Sequence, residues 1–321
     1  MPTRIIFNIF LDIWRRKKAK KFFLNIKTNK QKRIFFFYDL KVSSISYGEF
    51  FYFCMLVRQL RYNGFNIKCA IIKDYIREDL YKYFSKIKIE KTIKELTNIF
   101  KFLNNDHIEI VNFKNSEKLI RLNDYVFLKK NYLKRKRIYE YFPLLNKETF
   151  RFFKNKNFLI KSQKSNIITY VVRFKYSHSH PERNQSIKDI LADIEILRNK
   201  FPKDKIFLMT DDNSRKKLKT HHIIKKNMKL KKINFLKNKN FLDDLKILIK
   251  SRYFYSSTNT GLATINVFIN RPGEFVCNNI DLLNRNISND FFYPTQKEVN
   301  NFWPWLNKKI VVNFKSYYSK N

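Results

Sequence analysis

Three segments in the second half of the chain decide the fold: IITYVVRFKY at 167–176, SIKDILADIEILRNKFPKDKIFLMTDD at 186–212 and FLDDLKILIKSRYFYSSTNTGLATINVFINRP at 241–272. Each contains a short, continuous apolar run, which is typical of a parallel strand buried on both faces. The run from Ser186 to Lys200 has apolar residues at helical spacing and stops at Phe201 and Pro202. Strands alternating with helices predict a doubly wound parallel sheet.

Further elements follow from the same patterns. In the second half, strands are expected at 167–172, 205–210, 230–235 and 253–255, and helices at 186–200, 241–250 and 261–270, with a basic helix or loop after residue 212. In the first half, strands are expected at 34–38, 65–72 and 108–113, with helical patterns at 48–63 and 76–103. Gly48 opens the first of these helices and Gly64 is its expected C-terminal cap.

These patterns predict an α/β protein with two Rossmann-like domains, at 33–160 and 161–321, behind a basic N-terminal segment at 1–32. In that segment an apolar stripe at helical spacing from Ile5 to Trp14 runs into a basic cluster from Arg15 to Lys21. Such an amphipathic helix can lie on an anionic membrane surface through residues 5–21. A terminal helix packed on the protein body, with a solvated basic end, is the simpler and commoner explanation of the pattern.

Composition limits the class of protein but not its partner. The 321 residues carry a net charge of +40, with 44% hydrophobic residues, 33 Phe and 18 Tyr. This aromatic content supports a folded core and argues against disorder. Codon bias in an AT-rich genome and a functional basic surface are both open explanations of the lysine excess. A basic surface attracts phosphates, lipids and nucleic acid over about 8–10 Å.

Localisation is predicted from what the sequence lacks. Cys54, Cys69 and Cys277 are too few and too scattered for a disulfide framework or a zinc site, and the first two fall in core-like runs. No apolar run approaches the roughly 20 residues that cross a bilayer, and Asp12 interrupts any signal peptide. We expect a cytoplasmic protein, with peripheral attachment to the inner membrane face as a hypothesis.

Three predicted strand ends carry residues suited to a nucleoside diphosphate, and ligands bind at this edge of open parallel sheets. At the first, Arg173 offers a planar fork to phosphate oxygens, followed by Lys175 and by the polar run to Glu182 that includes His178. An ordinary surface arginine is the competing interpretation.

The second strand end carries Thr210, Asp211 and Asp212. Carboxylates here can accept hydrogen bonds from a base or a ribose, although an Asp also caps a following helix. Helix capping is the simpler explanation for one of the two aspartates, but it does not readily explain both.

The third strand end is the loop Ser256-Ser257-Thr258-Asn259-Thr260-Gly261, which precedes a predicted helix. Small hydroxyl residues and a glycine allow backbone amides to reach an anion at the positive end of that helix. Because the chain has only 4 Gly, a glycine in this loop is more informative than usual.

Several familiar sites are absent from the sequence. There is no GxGxxG, no GxxxxGK[ST] and no GxSxG, which argues against a standard dinucleotide fingerprint, a P-loop and a serine elbow. No spacing of His, Cys, Asp and Glu suggests a bound metal.

The three segments, in this order, resemble the C-terminal half of GT-B glycosyltransferases, and most of all the fucosyltransferase-like group that uses a GDP-sugar. The resemblance covers about 100 residues and implies two domains facing a cleft. It implies that Arg173 grips the donor diphosphate, that Asp211 and Asp212 contact the nucleoside, and that Ser257 and Thr258 hold phosphate. Asn259 and Gly261, in the same loop, complete the expected donor-binding residues. Val171, Phe174 and Tyr176 depart from the group's pattern around its arginine, so the resemblance leaves the donor sugar open.

The resemblance further implies metal-independent transfer, with a nucleotide sugar as substrate and no cofactor. Arg173, Lys175 and the 256–261 loop would stabilise the departing diphosphate. The acceptor, a glycan or a lipid-linked precursor, needs a base, for which His178, His180, Glu182 and Glu49 are candidates. Gly48 and Glu49 would lie on the acceptor side.

Two rival hypotheses remain open. The stretch 215–239 contains eleven Lys and Arg and no acidic residue, which would suit a nucleic-acid-binding protein without catalytic activity. The second rival hypothesis is a relative of the glycosyltransferases that keeps the fold but has lost catalytic activity.

Overall fold

The computed structural model describes residues 34–40, 45, 47–62, 64–73, 85–112, 165–174, 184–236, 240–256, 265–266, 271–278 and 310–315. The chain divides into two compact units, Met1–Thr149 and Phe150–Asn321. The predicted basic N-terminal helix at 1–32 lies outside the described residues, so it stays a prediction.

The first unit is built on a parallel sheet of three strands. The strands are β1 (Ile34–Asp39), β2 (Ile67–Ile72) and β3 (Glu109–Val111), in the order β1-β2-β3. The helices are α1 (Tyr47–Tyr62) and α2 (Lys86–Asn104). The predicted alternation of strand and helix in this half is confirmed over the described residues.

Aromatic rings fill the core of the first unit. Phe36 and Tyr38 of β1 meet Phe50 and Phe53 of α1, and Phe53 also meets Phe100 of α2 at a centroid distance of 6.2 Å. Tyr38 and Phe50 pack edge to face at 4.9 Å, a favourable arrangement of two ring quadrupoles. These contacts fix α1 against the start of the sheet.

Cys54 and Cys69 are buried free thiols in this core, as their apolar surroundings in the sequence predict. Burial raises the pKa of both thiols. They therefore act as small apolar residues rather than as reactive groups.

Gly64 ends α1 as predicted. Its φ of +85° lies in the left-handed region, its N–H donates to Arg61 O at 2.9 Å, and Phe65 N–H donates to Leu60 O at 3.2 Å. This pair of bonds is the Schellman arrangement, in which a glycine reverses the chain after a helix. The chain is thereby turned directly into β2.

The second unit has a parallel sheet of six strands. These are β4 (Ile167–Val171), β5 (Lys205–Met209), β6 (Ile233–Phe235), β7 (Tyr253–Ser256), β8 (Gly273–Asn278) and β9 (Ile310–Lys315). The helices are α3 (Ile187–Lys200), α4 (Asp212–Thr220), α5 (His222–Leu230) and α6 (Phe241–Lys250). The four predicted strands and the helices predicted at 186–200 and 241–250 are present, and β8 and β9 are additions that the sequence patterns did not predict.

The strand order of this sheet is β6-β5-β4-β7-β8-β9, and every neighbouring pair is parallel. Numbered within the unit, this is 3-2-1-4-5-6, the order of dinucleotide-binding domains. The predicted doubly wound, Rossmann-like sheet is therefore confirmed for this unit. The order reverses between β4 and β7, and ligands of such folds bind beyond the carboxyl ends of the strands at that point.

Side chains of β4 alternate between two faces of the sheet, as a strand requires. Ile168, Tyr170 and Val172 join an apolar cluster with residues of α3, α4 and α5. Thr169 points to the opposite face, where its hydroxyl lies 3.4 Å from that of Ser251, just after α6. The sheet is thus covered by helices on both faces near the reversal point.

Candidate functional site

The candidate site lies at the carboxyl edge of the second sheet, where β4 and β7 are neighbours. The last residues of the two strands, Val171 and Ser256, are paired in register. Arg173 follows β4 by two residues, and the Ser/Thr-rich loop follows β7 directly. Two of the three predicted strand ends therefore start side by side at the reversal point.

Arg173 is buried, with 7% of its surface exposed, and its backbone is held on both sides. Its N–H donates to Gln185 Oε1 at 3.3 Å, and its carbonyl oxygen accepts from Gln185 N–H at 2.8 Å. Just before it, Val172 N–H donates to Met209 O at 2.9 Å and extends the pairing with β5. The backbone that carries this guanidinium is thus fixed to its neighbours in the fold.

The second strand end is linked to the first through Ser214. Asp211 is the N-cap of α4, and its Oδ1 accepts from Ser214 N–H at 3.0 Å. The buried Ser214 hydroxyl lies within hydrogen-bonding reach of Asp211 Oδ2, at 2.5 Å, and of the Phe174 carbonyl oxygen. The structure therefore brings Asp211 together with the segment that begins at Arg173.

Asp211 and Asp212 have different surroundings. Asp211 caps α4, as the sequence allows for one of the two carboxylates, whereas Asp212 is 78% exposed and forms an ion pair with Arg215. Both carboxylates lie in the first turn of α4 or just before it, where the helix dipole favours negative charge. Contact of this pair with a nucleoside stays a prediction.

Thr210 adds a polar atom to the same edge. Its Oγ1 is buried and makes no hydrogen bond with the described residues. A hydroxyl at this edge can donate a hydrogen bond to a bound ligand or accept one from it. The sequence places Thr210 at a strand end, but nothing in the sequence predicts that its hydroxyl is buried at this edge.

Several predicted site residues lie outside the described residues. They are Lys175, His178, Glu182, Ser257, Thr258, Asn259 and Gly261. Their roles stay predictions. Ile265 and Asn266 are helical and buried, in agreement with the helix expected at 261–270.

The predicted acceptor-side residues lie at the start of α1 in the first unit. The helix begins at Tyr47, so Gly48 is its second residue and Glu49 the acidic residue of its first turn. Asp39 is the last residue of β1 and is 7% exposed. Like Arg173 and Asp211 in the second unit, it lies at the carboxyl end of a parallel strand. The sequence predictions ended this strand at Tyr38 and left Asp39 in the loop, so they did not include it among the candidates.

The described residues hold no group of three or more His, Cys, Asp or Glu side chains that could bind a metal ion. None of the helices in the described part of the chain combines the length and hydropathy that crossing a bilayer requires.

No family model matches the sequence, and no curated protein matches it. Among solved structures, the fold is similar to that of E. coli heptosyltransferase WaaC with ADP, at 10% identity and a TM-score of 0.40, over 76% of this chain and 86% of that one. It is also similar to POFUT1 in complex with GDP-fucose, at 12% identity and a TM-score of 0.29, over 55% and 65%.

These proteins are of the kind that the sequence resemblance names, and the similarity concerns the fold. The functional proposal rests on the strand order and the residues of this chain.

Proposed function

We propose that this protein is a glycosyltransferase that transfers a sugar from a nucleotide-diphosphate donor to a glycan or lipid-linked acceptor. One observation carries the proposal: the strand order reverses where Arg173 and the Ser/Thr-rich loop begin. A buried arginine beside a loop that leads into a helix suits a diphosphate, which is doubly anionic and presents several acceptor oxygens.

The proposed chemistry needs charge stabilisation more than covalent catalysis. The bond between the anomeric carbon and the diphosphate oxygen breaks, and the acceptor oxygen forms the new bond to that carbon. Arg173, Lys175 and amides of the 256–261 loop would stabilise the charge that develops on the leaving diphosphate. These groups also supply the positive charge that a metal ion would otherwise provide, so the proposed transfer is metal-independent.

The acceptor hydroxyl loses its proton during transfer, and a side chain must receive it. His178, His180, Glu182 and Glu49 are the proposed candidates. A GDP-sugar is the first donor to test because the segments carrying Arg173 and Asp211 resemble the group that uses one.

A thermal-stability screen tests the proposal. Nucleoside diphosphates and nucleotide sugars with guanine, adenine and uracil are each added at saturating concentration in the presence of EDTA. A ligand at 100 times its Kd stabilises a protein by about 2.7 kcal/mol, which is readily measured as a rise in Tm. Stabilisation by a diphosphate but not by the free nucleoside is expected.

The same screen separates the proposal from its inactive variant. Binding followed by sugar release to water or to an acceptor supports a transferase. Binding without either reaction shows a protein that keeps the nucleotide site but lacks the activity. Failure of every nucleotide to bind would overturn the proposal.

A second candidate function rests on the surface of α4 and α5. Exposed lysines crowd these two adjacent helices and the turn after them, at positions 216, 217, 219, 225, 226, 229 and 232. The nearest acidic residue before them, Asp212, is paired with Arg215. A surface with this charge fits a nucleic-acid backbone.

Salt dependence distinguishes the two functions. Binding to nucleic acid through several phosphates weakens steeply as salt rises, with a log–log slope of about −0.9 for each phosphate contacted on a duplex. Substituting Lys225, Lys226 and Lys229 with Gln should reduce that slope if the surface is used, and should leave nucleotide binding unchanged.

Peripheral attachment to an anionic membrane surface through residues 5–21 is part of the proposal. It would place the transferase near a lipid-linked acceptor on the inner face of the membrane. Flotation of the full chain with anionic vesicles, but not with neutral ones, is the expected result. Equal flotation of a variant with Gln at the six basic positions between Arg15 and Lys21 would contradict it.

A further inference from the structure

Asp193 is a buried carboxylate at the centre of a polar network inside the second unit. It lies on α3 with 1% of its surface exposed, beside the apolar residues Ile190 and Ile194. Its Oδ1 accepts from Tyr255 OH at 2.8 Å, and its Oδ2 accepts from Tyr170 OH at 2.9 Å. A carboxylate is tolerated at such a position only when donors surround it.

Gln185 completes the network and connects it to the candidate site. Its Nε2 donates to Asp193 Oδ2 at 3.0 Å and to Tyr170 OH at 3.2 Å. Its Oε1 and backbone N–H hold the N–H and carbonyl oxygen of Arg173. One side chain thus joins the buried carboxylate to the backbone of Arg173.

The network spans the reversal point of the sheet. Tyr170 of β4 and Tyr255 of β7 are paired in register, and their rings pack edge to face at 5.6 Å. The strands are already joined by their own ladder of hydrogen bonds, so the network is not needed to pair them.

Stability alone does not explain the network either. Buried polar groups can often be replaced by apolar ones without loss of stability. What the network adds, and apolar residues would not, is a fixed position for residues 173 and 185. Two hydrogen bonds join Arg173 to Gln185 and so hold together the ends of the segment 173–185. That segment includes the candidates Lys175 and Glu182.

We propose that Asp193 and Gln185 are positioning residues, which fix Arg173 at the carboxyl edge before a diphosphate binds. This inference rests on the proposed function. Fixing a donor beforehand removes the cost of ordering it when ligand binds, and so strengthens its interaction with developing charge.

An exchange of groups between the two residues is the sharpest test. Gln185→Glu keeps the acceptor for Arg173 N–H but brings a second carboxylate against Asp193. Asp193→Asn replaces the acceptor Oδ2 with an NH2 group. The side-chain NH2 groups of Gln185 and of the new asparagine would then face each other, two donors without an acceptor between them. The double variant restores one carboxylate and one amide in exchanged places, with every donor again facing an acceptor.

The affinity for the tightest-binding nucleoside diphosphate is measured for each variant. We expect each single variant to bind about tenfold more weakly, as the loss of a charged hydrogen bond predicts, and the double variant to recover most of that affinity. Unchanged affinity in Asp193→Asn, with the protein folded, would overturn the proposal. So would a double variant that binds no better than the two single ones.

Tyr255 and Tyr253 provide a matched pair. Both lie on β7 and point to the same face, but Tyr255 OH donates to Asp193, whereas Tyr253 OH accepts from Lys200 Nζ at 2.8 Å at the other end of the strand. Tyr255→Phe should weaken diphosphate binding several-fold and Tyr253→Phe should not. Equal losses in both variants would show a general weakening of the strand and contradict a positioning role.

Hydrogen exchange tests positioning without any ligand, so its outcome is independent of the proposed function. In Asp193→Asn, the amides of Arg173 and Gln185 should exchange at least several-fold faster, whereas Val172, whose N–H bonds Met209 O, should change less. Faster exchange without nucleotide binding by any form would refute the proposed function but retain the positioning role. Unchanged exchange at Arg173 and Gln185 would refute the positioning role.

Discussion

The two edges of the second sheet use arginine in different ways. At the amino edge, Arg198 donates to the carbonyl oxygens of Phe201, Pro202 and Asp204 at 2.9–3.1 Å, and to that of Lys232 at 3.1 Å. Arg252 pairs there with both carboxylate oxygens of Asp204. At the carboxyl edge, Gln185 bonds to the backbone N–H and carbonyl oxygen of Arg173.

The surroundings of the amino-edge arginines agree with a structural role. Burial lowers the pKa of Arg198, and the bond to Asp204 raises the pKa of Arg252. Both guanidinium groups close the turns that lead into β5, β6 and β7. In a chain with 67 Lys and Arg, the position of an arginine and what it holds are therefore more informative than its presence.

The largest effect is expected at the carboxyl edge. Arg173→Ala should reduce sugar transfer by a factor of about 100 to 1,000, the range for removing one preorganised donor to a developing charge. The backbone bonds of residue 173 to Gln185 do not need its side chain, so they should persist in this variant.

Nucleotide-dependent Tm shifts and transfer assays on Arg173→Ala and Arg173→Lys check this expectation. Arg198→Ala serves as the amino-edge control. Transfer by Arg173→Ala at the rate of the unchanged protein would rule out the proposed role, and so would equal losses in the two alanine variants.

Gly273 tests packing at the amino edge. It is the first residue of β8 and is paired with Phe254 of β7, and a Cβ at this position would lie 2.2–2.5 Å from carbons of the Phe254 ring. Because Phe254 is fully buried and cannot move aside, Gly273→Ala should destabilise the protein by about 3 kcal/mol.

Chemical denaturation measures this loss. The double variant with Phe254→Leu, which opens space at the clash, should regain part of the stability. A neutral Gly273→Ala would show that the β7–β8 contact is looser than the structure indicates. Nucleotide affinity at a temperature where the variant is folded should change little.

Arg198 tests the structural role of the amino-edge arginines. Arg198→Ala removes a charged donor from four carbonyl oxygens and should destabilise the protein by about 2 kcal/mol. Exposed carbonyls regain water, which limits the loss. Arg198→Lys, which keeps the charge but not the fork, should recover only part of it. The amino-edge arginines are expected to stabilise the fold without affecting ligand binding. A loss of diphosphate affinity in proportion to the loss of stability in the Arg198 variants would contradict this.

The sequence predicts the elements of the second unit better than its full extent. The predicted helix at 241–250 matches α6, and the strands before and after it differ from prediction by a few residues. β8 was missed because GEFVCN begins with a glycine and a charged residue, and its pairing with β7 is a tertiary contact. The undecided basic stretch is two helices, each with only two buried side chains.

The sequence predicted the position of the candidate site but not the residues that hold it in place. Arg173 and Asp211 follow from the rule that ligands lie beyond strand ends, and the structure links their segments. Gln185 was not predicted because it lies outside the regular elements, and its side-chain bonds to Arg173 and Asp193 depend on how the chain folds back on itself. Asp193 left a signal, since it falls on the helix face shared by Ile190, Ile194 and Leu197, where an acidic residue needs buried partners.

The smallest effect is expected at the start of α3, next to Gln185. Ser186 and Asp189 form a capping box, in which Asp189 N–H donates to Ser186 Oγ at 3.1 Å and Ser186 N–H donates to Asp189 Oδ2 at 3.0 Å. Ser186→Ala removes one of these bonds and should cost about 1 kcal/mol of stability. Asn240→Ala, which removes the same kind of cap from α6, is the matched control.

Diphosphate affinity in these two cap variants decides how the carboxyl edge is organised. Neither substitution alters a bond between Gln185, Asp193 and Arg173, so both variants should bind as the unchanged protein does. If Ser186→Ala weakened binding as much as Asp193→Asn, any loosening of the start of α3 would suffice to displace Arg173. Unchanged binding in Ser186→Ala and weakened binding in Asp193→Asn would instead trace the position of Arg173 to the buried carboxylate itself.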